Sequence, residues 1–150
     1  MKESIVIKMV SGLITLFIVM MLIAFFTIPF LVNWYNELTG EVGAQLVWVN
    51  LFLYVTAIPF AVLLVMAKKL CLNILKNTPF SGSTVQALNI ISICAFVDFF
   101  LYTIGTMTIF QNLLSFTLMI AAFMVGIVSL VLSILAKRAQ EIKDENDLTV

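Results

Sequence analysis

The chain has 150 residues, of which 63% are hydrophobic and only 11% are charged. A soluble domain has about 45–50% apolar and about 25% charged residues, so this composition excludes a water-soluble globular protein. It also excludes a disordered chain, which needs few apolar residues and a high charge. The formal net charge is zero and His is absent. We therefore expect no direct binding of nucleic acid, no His-based zinc site and no Ser-His-Asp triad.

The first charge-free run extends from Met9 to Asn36. It is long enough to cross a bilayer, which takes about 20 predominantly apolar residues. It is also longer than the apolar core of a signal peptide, and no small-residue cleavage site follows it. We predict a retained span over residues 10–33, with Trp34 and Tyr35 as anchors at the membrane surface.

The second charge-free run predicts a span over residues 45–67. Pro59 lies inside it, and we expect a kink there rather than a break, because neighbouring groups in a membrane protein can bond the freed carbonyl. The helix is expected to continue past Lys68 and Lys69 into the cytoplasm. The Asn-Thr-Pro sequence at 77–79 should end it, because the residue before a proline avoids the helical region.

The third span is predicted to begin at a capping box formed by Ser83 and Gln86. Asp98 is the only Asp, Glu, Lys or Arg residue inside a predicted span. Placing such a residue in a membrane costs free energy, and it is therefore often functional. We predict a site of Asp98, Asn50 and Tyr102 for a cationic or hydrogen-bonding ligand from outside. The structural alternative is a protonated Asp98 that bonds to Asn50, Tyr54 or Tyr102, because burial disfavours the charged form.

A further turn is required in the charge-free run from Phe99 to Ala136. As one helix this run would be nearly twice as long as the hydrocarbon core is thick. We expect the helix to be interrupted either at Gly105 or at the pair Gln111 and Asn112. The sequence therefore predicts an all-α, four-helix transmembrane bundle in a single domain, 1–150, with spans at about 10–33, 45–67, 84–105 and 113–135 and a tail over 136–150.

All eight basic residues lie on one side of this arrangement: Lys2, Lys8, Lys68, Lys69, Lys76, Lys137, Arg138 and Lys143. The positive-inside rule then predicts a multi-pass protein of a bacterial plasma membrane with both termini in the cytoplasm. Spans two and four would extend into the cytoplasm. We expect Lys68, Lys69 and Lys76 to contact anionic lipid headgroups.

The remaining features predict interactions rather than catalysis. Ala122 and Gly126 form a small-residue face that suits either internal packing or a homo-oligomer. Two cysteines are too few for a disulfide framework. No metal, cofactor or enzymatic activity is predicted, because the sequence offers no metal-ligand cluster and no catalytic constellation.

The tail ends in an acidic cluster followed by apolar residues. The cluster is Asp144, Glu145, Asn146 and Asp147, and the chain then ends in Leu148, Thr149 and Val150. The segment is either a solvated end or a docking segment for a protein partner.

Two stretches resemble a known family. EIKDENDLTV at 141–150 and NILKNTPFSGSTVQALNIIS at 73–92 are similar to the tail and inter-span signatures of the YoaS-like bacterial membrane proteins, the domain-of-unknown-function family 2975. The turn residues that match are Asn77, Thr78, Pro79, Phe80 and Ser83. The chain lacks the basic residues that this family usually carries around 88–89. The resemblance implies a four-span protein without enzyme activity, encoded beside a small Cro/C1-type helix-turn-helix regulator.

We therefore predict a membrane regulator or sensor that binds or sequesters a cytoplasmic helix-turn-helix transcription regulator. The contact residues would lie in the 68–86 segment and the tail, namely Pro79, Phe80, Asp144, Glu145, Asn146, Asp147, Leu148, Thr149 and Val150. The alternative is a small transporter or a resistance or immunity protein that uses Asp98 as a coupling or substrate-binding carboxylate.

Overall fold

A computed structural model of the protein describes residues 2–40 and 44–149. Four helices make up nearly all of this part, and no strand occurs in it: α1 (Lys2–Thr39), α2 (Ala44–Leu75), α3 (Gly82–Thr108) and α4 (Leu113–Leu148). All four are long and apolar enough to cross a membrane. The predicted all-α fold with four spans is confirmed. Val150, the last residue of the predicted docking segment, lies outside the described residues.

The turn between α2 and α3 begins close to its predicted position but ends earlier than predicted. α2 ends at Leu75, and Asn77 takes a left-handed conformation with φ 58°. The N-cap of α3 is Ser81, whose side chain accepts a hydrogen bond from the backbone N–H of Thr84 at 3.4 Å. The predicted cap at Ser83 is therefore wrong. Its hydroxyl instead accepts a hydrogen bond from the side chain of Asn73 at 3.3 Å, which fixes the end of α2 against the start of α3.

The turn between α3 and α4 lies at the second of the two predicted breakers. α3 ends at Thr108, and Asn112 caps α4 by accepting a hydrogen bond from the backbone N–H of Ser115 at 2.8 Å. Gly105 stays inside α3 and is buried. An Asn side chain can cap a helix, whereas a glycine inside a helix is only mildly unfavourable. The polar pair therefore sets the turn.

Two prolines lie inside helices that continue through them. Pro29 is in α1 and Pro59 is in α2. A proline has no N–H, so the carbonyl groups of Phe25 and Val55, one turn earlier, lose their helical donors. α2 does pass Pro59 without a break, as predicted, and it reaches Leu75 in one piece.

The helices are longer than the spans predicted from the sequence and longer than the hydrocarbon core requires. α1 has 38 residues and α4 has 36, so each extends ~54–57 Å against a hydrocarbon core of ~30 Å. The predicted extensions of α2 and α4 are present. α1 also extends beyond its predicted span at both ends, because charged residues such as Lys8 and Glu37 ended the charge-free run but not the helix.

Each helix packs against the next one in the chain, α1 on α2, α2 on α3 and α3 on α4. Within the described ranges α1 and α4 do not contact each other, so the bundle is open between them. α3 is the most buried of the four spans and α1 the least. Gly40 and residues 109–112 lie at one end, called the loop end here. The start of α1, the end of α4 and the 76–81 turn lie at the other, called the basic end.

Candidate functional site

α3 and α4 are joined by hydrogen bonds between small polar residues. From the basic end to the loop end these are Ser133 Oγ to Asn89 Oδ1 (2.5 Å), Ser92 Oγ to the Gly126 carbonyl (2.9 Å) and the hydroxyl pair of Thr106 and Ser115. The buried residues of α4 are all small: Ser115, Gly126, Ser129, Ser133 and Ala136. Small residues let helix backbones approach closely, and polar side chains then bond across the contact. The two helices therefore form one tightly joined unit.

Gly126 is part of this contact. A Cβ atom at this position would lie 3.1 Å from Cε1 of Phe96 on α3. The predicted small-residue face therefore serves internal packing at Gly126, while Ala122 is only half-buried.

Asp98 is buried on the opposite side of α3, which faces α2. The residue is 3% exposed, and its Oδ1 atom has no hydrogen-bond partner. On the same face, the side chain of Asn73 bonds to Thr84 Oγ1 at 3.1 Å, and the Phe52 ring covers Gly105. These two contacts fix the antiparallel register of α2 and α3.

The same antiparallel register, continued between these two contacts, puts Asp98 level with Pro59 along the helix axis. That is the stretch of α2 in which the Val55 carbonyl has lost its helical donor. A buried carboxyl group is easier to accommodate when protonated, and it can then donate a hydrogen bond. The register thus brings Asp98, the one carboxylate residue of α3, level with the stretch of α2 whose helical hydrogen bonding is interrupted by Pro59.

The structure does not gather Asp98, Asn50 and Tyr102 into one cluster. Tyr102 is one helical turn from Asp98, and its hydroxyl lies beside Thr56. Asn50 is further toward the loop end, and its buried Oδ1 atom also has no partner. The Tyr54 ring packs edge-on against Phe25 of α1, with centroids 4.8 Å apart. Tyr54 is therefore turned toward α1, and the sequence-based suggestion that it bonds to Asp98 is wrong.

A cavity of about 720 Å³ opens at the loop end between all four helices. Its deepest wall includes Thr56 and Tyr102, one turn from Asp98, whereas Asn50 and Asp98 are not among the residues that line it. Its volume lies within the ~300–1,000 Å³ typical of small-molecule sites. Of the three predicted ligand-binding residues, only Tyr102 thus lines a space that a ligand can occupy.

The cavity walls change in character with depth. The polar side chains nearest the loop end are Asn36, Thr39, Gln111 and Asn112, and the deeper wall is mainly apolar, with Ile28, Leu31, Val32, Leu53 and Leu118. The lining residues of the described chain carry no formal charge. Trp34 and Tyr35, predicted only as anchors at the membrane surface, both line this cavity. Asn36 and Thr39, the polar residues near the end of α1 that line the cavity, were the feature of the sequence that could have indicated it.

At the basic end, the α2–α3 turn and the extension of α4 lie side by side. A Cβ atom at Gly82 would lie 3.8 Å from Nε2 of Gln140. Beyond that point every residue over 141–149 is exposed, and Leu148 is 86% exposed. Phe80 of the turn is 53% exposed. The two predicted docking stretches therefore adjoin one another.

The other residues predicted to contact lipid or a partner at this end differ in exposure. Lys68 and Lys69 are half-buried on α2, Lys76 is exposed just after it, and Pro79 is half-buried in the turn. Cys71 and Cys94 are free thiols. Among the residues that the structure describes, His, Cys, Asp and Glu form no group of three suited to a metal ion.

Comparison with known proteins gives the family. The family model described as "Protein of unknown function (DUF2975)" matches residues 9–150. The chain is similar to the "Uncharacterized membrane protein YoaS" of Bacillus subtilis (strain 168), with 33% identity over 150 residues that cover 93% of each chain. No solved structure matches the chain. With its four apolar helices, this multi-pass membrane protein therefore belongs to the DUF2975 family.

Proposed function

We propose that the protein is a membrane-embedded regulator that holds a cytoplasmic helix-turn-helix transcription regulator at its basic end. The observation that carries the proposal is the extension of α4. The helix continues beyond Leu135, the last residue of its apolar run, to Leu148 and is fully exposed from Glu141 onward. A solvated chain end has no need of helical order at this length, whereas a docking helix presents its side chains in a fixed arrangement.

The charge of this extension suits such a partner. Asp144, Glu145 and Asp147 precede the exposed Leu148. A DNA-reading surface is basic, so an acidic helix is complementary to it. Complementary charge mainly speeds association, and the apolar contact slows release. Phe80, exposed on the adjoining turn, offers a second apolar contact.

The orientation is part of the proposal. All eight basic residues belong to the segments that lead to the basic end, and the positive-inside rule puts this end in the cytoplasm. Lys68, Lys69 and Lys76 would then face anionic headgroups, each worth about 1 kcal/mol. Reporter fusions after Lys76 and after Thr149 should report a cytoplasmic location, and a fusion after Gln111 an external one. An external location for the Thr149 fusion contradicts the proposal.

The direct test is co-fractionation with a Cro/C1-type helix-turn-helix protein, the partner that the family resemblance implies. Truncation after Lys143 removes no part of a span, so the truncated protein should remain in the membrane while the regulator moves to the soluble fraction. The matched control replaces Asp144, Glu145 and Asp147 by their amides. It keeps the helix length and should weaken the complex less than the truncation. Adding 1 M salt should also weaken the wild-type complex, because the Debye length falls to about 3 Å.

Retention of the regulator by the truncated protein at wild-type level would show that the tail is not the docking segment. A Phe80→Ser variant then tests the adjoining turn. If neither change releases the regulator, the proposed function is wrong.

The burial of Asp98 favours a second candidate, a small transporter. A carboxyl group that is 3% exposed in a span is the type of group that carries protons in membrane carriers. Proteoliposomes distinguish the two functions. Proton or substrate flux that is lost in Asp98→Asn and unchanged by truncation after Lys143 supports transport, and a regulator that dissociates only on truncation supports the first function.

A further inference from the structure

We propose that the cavity at the loop end binds an uncharged, single-chain amphiphile that enters from the bilayer through the opening between α1 and α4. The site is at the other end of the molecule from the surface that would hold a regulator. Three features of the cavity indicate this ligand: its access, its depth and the polarity of its lining.

Access is lateral. α1 contributes Leu31 and Tyr35 to one wall, and α4 contributes Leu114 and Leu118 to another. These two helices do not contact each other in the described ranges. An opening between two membrane-embedded helices faces acyl chains, so a ligand can enter without first crossing water.

The depth suits an acyl chain. Along α1 the lining runs from Ile28 to Thr39, which is ~16 Å at 1.5 Å per residue. That is about half of the ~30 Å hydrocarbon core. The deep walls, with Leu53 of α2 and Leu118 of α4, are apolar. A single chain fits this space alongside the lipid tails outside it.

The mouth of the cavity suits an uncharged polar head. Asn36 and Gln111 offer hydrogen bonds there, and the Thr39 hydroxyl, which donates to the Tyr35 carbonyl at 3.0 Å, can still accept one. The side-chain oxygen of Asn112 is occupied in capping α4. No lining residue of the described chain carries a charge, and a phosphate or ammonium group without a countercharge is costly to bury. Hydroxyl and ester groups, as in a monoacylglycerol, match these partners.

The test uses the full chain in phosphatidylcholine nanodiscs. The probe is a monoacylglycerol with a photoreactive diazirine in its acyl chain. We expect saturable cross-linking to peptides of α1 and α4 that line the cavity, and competition by unlabelled monoacylglycerol.

Two substitutions fill the cavity from opposite sides, Leu118→Trp on α4 and Leu31→Trp on α1. Their controls are Leu132→Trp and Leu16→Trp, on the same helices but away from the cavity. The matched positions are similarly exposed, with Leu118 at 43% and Leu132 at 47%, and Leu31 at 49% and Leu16 at 55%. Each filling variant should lower cross-linking about tenfold, because the Trp ring occupies volume that the acyl chain would otherwise take. The controls should cross-link as the wild type does.

A third pair of variants tests the head group. Asn36 lines the cavity, whereas Asn33 on the same helix is exposed outside it. Asn36→Leu should weaken binding about two- to tenfold, the range for a lost hydrogen bond, and Asn33→Leu should not change it.

Several results would overturn the proposal. One is cross-linking that does not saturate, and another is wild-type labelling in both folded filling variants. A third is equal competition by phosphatidylglycerol, which would show that the cavity admits any lipid rather than a neutral amphiphile.

Discussion

The α3–α4 pair and the α1–α2 pair are both antiparallel hairpins of long apolar helices, yet they pack differently. α3 and α4 meet through small residues and four side-chain hydrogen bonds that cross the contact, the fourth being that of Ser133 Oγ to the Val85 carbonyl at 3.4 Å. α1 and α2 meet through large apolar side chains around a crevice of about 350 Å³, which includes Met21, Phe25 and Ala61. On α1, the described residues include one that is buried, Val32.

The difference follows from the solvent. In a bilayer, lipid tails are as apolar as Leu, so burying apolar side chains between helices contributes little, and close packing and hydrogen bonds decide which helices associate. The α3–α4 pair should therefore behave as a rigid unit. α1, which forms one wall of the cavity, should be the more adjustable helix.

The largest expected effect comes from Gly126→Leu. The added side chain must enter the space that the Phe96 ring occupies, 3.1 Å from the first new atom. Overpacking of this kind costs about 1–3 kcal/mol, and we expect a clear fall in the unfolding temperature in detergent. Gly12→Leu is the control, because a Cβ atom there has nothing within 4 Å. Equal stability of the two variants would mean that the α3–α4 contact is no tighter than a lipid-exposed surface.

Asp98→Leu tests the link between α3 and the proline of α2. If the protonated carboxyl supports the backbone that Pro59 leaves unpaired, Asp98→Leu should lower the free energy of unfolding by about 1 kcal/mol. Asp98→Asn should stay near the wild type in stability and expression, because the amide also donates.

The double variant gives the sharper result. Pro59→Ala restores an N–H for the Val55 carbonyl, so Asp98→Leu should cost less in that background than alone. Additive effects would show that the two positions are not coupled. If Asp98→Asn abolished expression while Asp98→Leu restored it, the assignment of a protonated, hydrogen-bonding carboxyl would be wrong.

A smaller effect is expected for Ser133→Ala, which removes the 2.5 Å hydrogen bond to Asn89. Hydrogen bonds between membrane helices are worth ~0.6 kcal/mol on average and ~1.7 at most. Ser11→Ala on α1 is a suitable control, since that residue is half-buried outside the α3–α4 contact. If Ser133→Ala leaves the free energy of unfolding unchanged, the hydrogen bond to Asn89 does not stabilise the α3–α4 contact.

The smallest effect is expected within the α1–α2 pair. Leu22 lines the apolar crevice and is 59% exposed. Leu22→Val should change the unfolding free energy by less than ~0.5 kcal/mol, because lipid replaces the lost contact. A loss above 1 kcal/mol, measured by unfolding in mixed micelles, would mean that the two hairpins are packed equally well.

The sequence alone determined the number of helices, their approximate spans and most of the turns. These are local properties in a membrane protein, because a run of about 20 apolar residues is sufficient to predict a span. The caps were partly predictable for the same reason, as Asn112 shows. Ser83 was mistaken for the cap because Ser81 and Ser83 both lie near the start of α3, and either hydroxyl could cap the helix. Only the position of Asn73 on the adjacent helix shows that Ser83 has another partner.

Tertiary structure decided which faces of these helices are inside. Water-soluble helices reveal their buried face by apolar periodicity, but here the large apolar side chains face the lipid and the buried faces of α3 and α4 carry mainly small and polar residues, so no apolar stripe marks the inside. Sequence reasoning therefore identified Asp98 by its charge and missed the cavity, whose lining is drawn from all four helices. It also could not show that Asp98 lies opposite Pro59, because that pairing depends on the register of α2 against α3. The register is fixed by contacts between residues far apart in the chain, which no local pattern records.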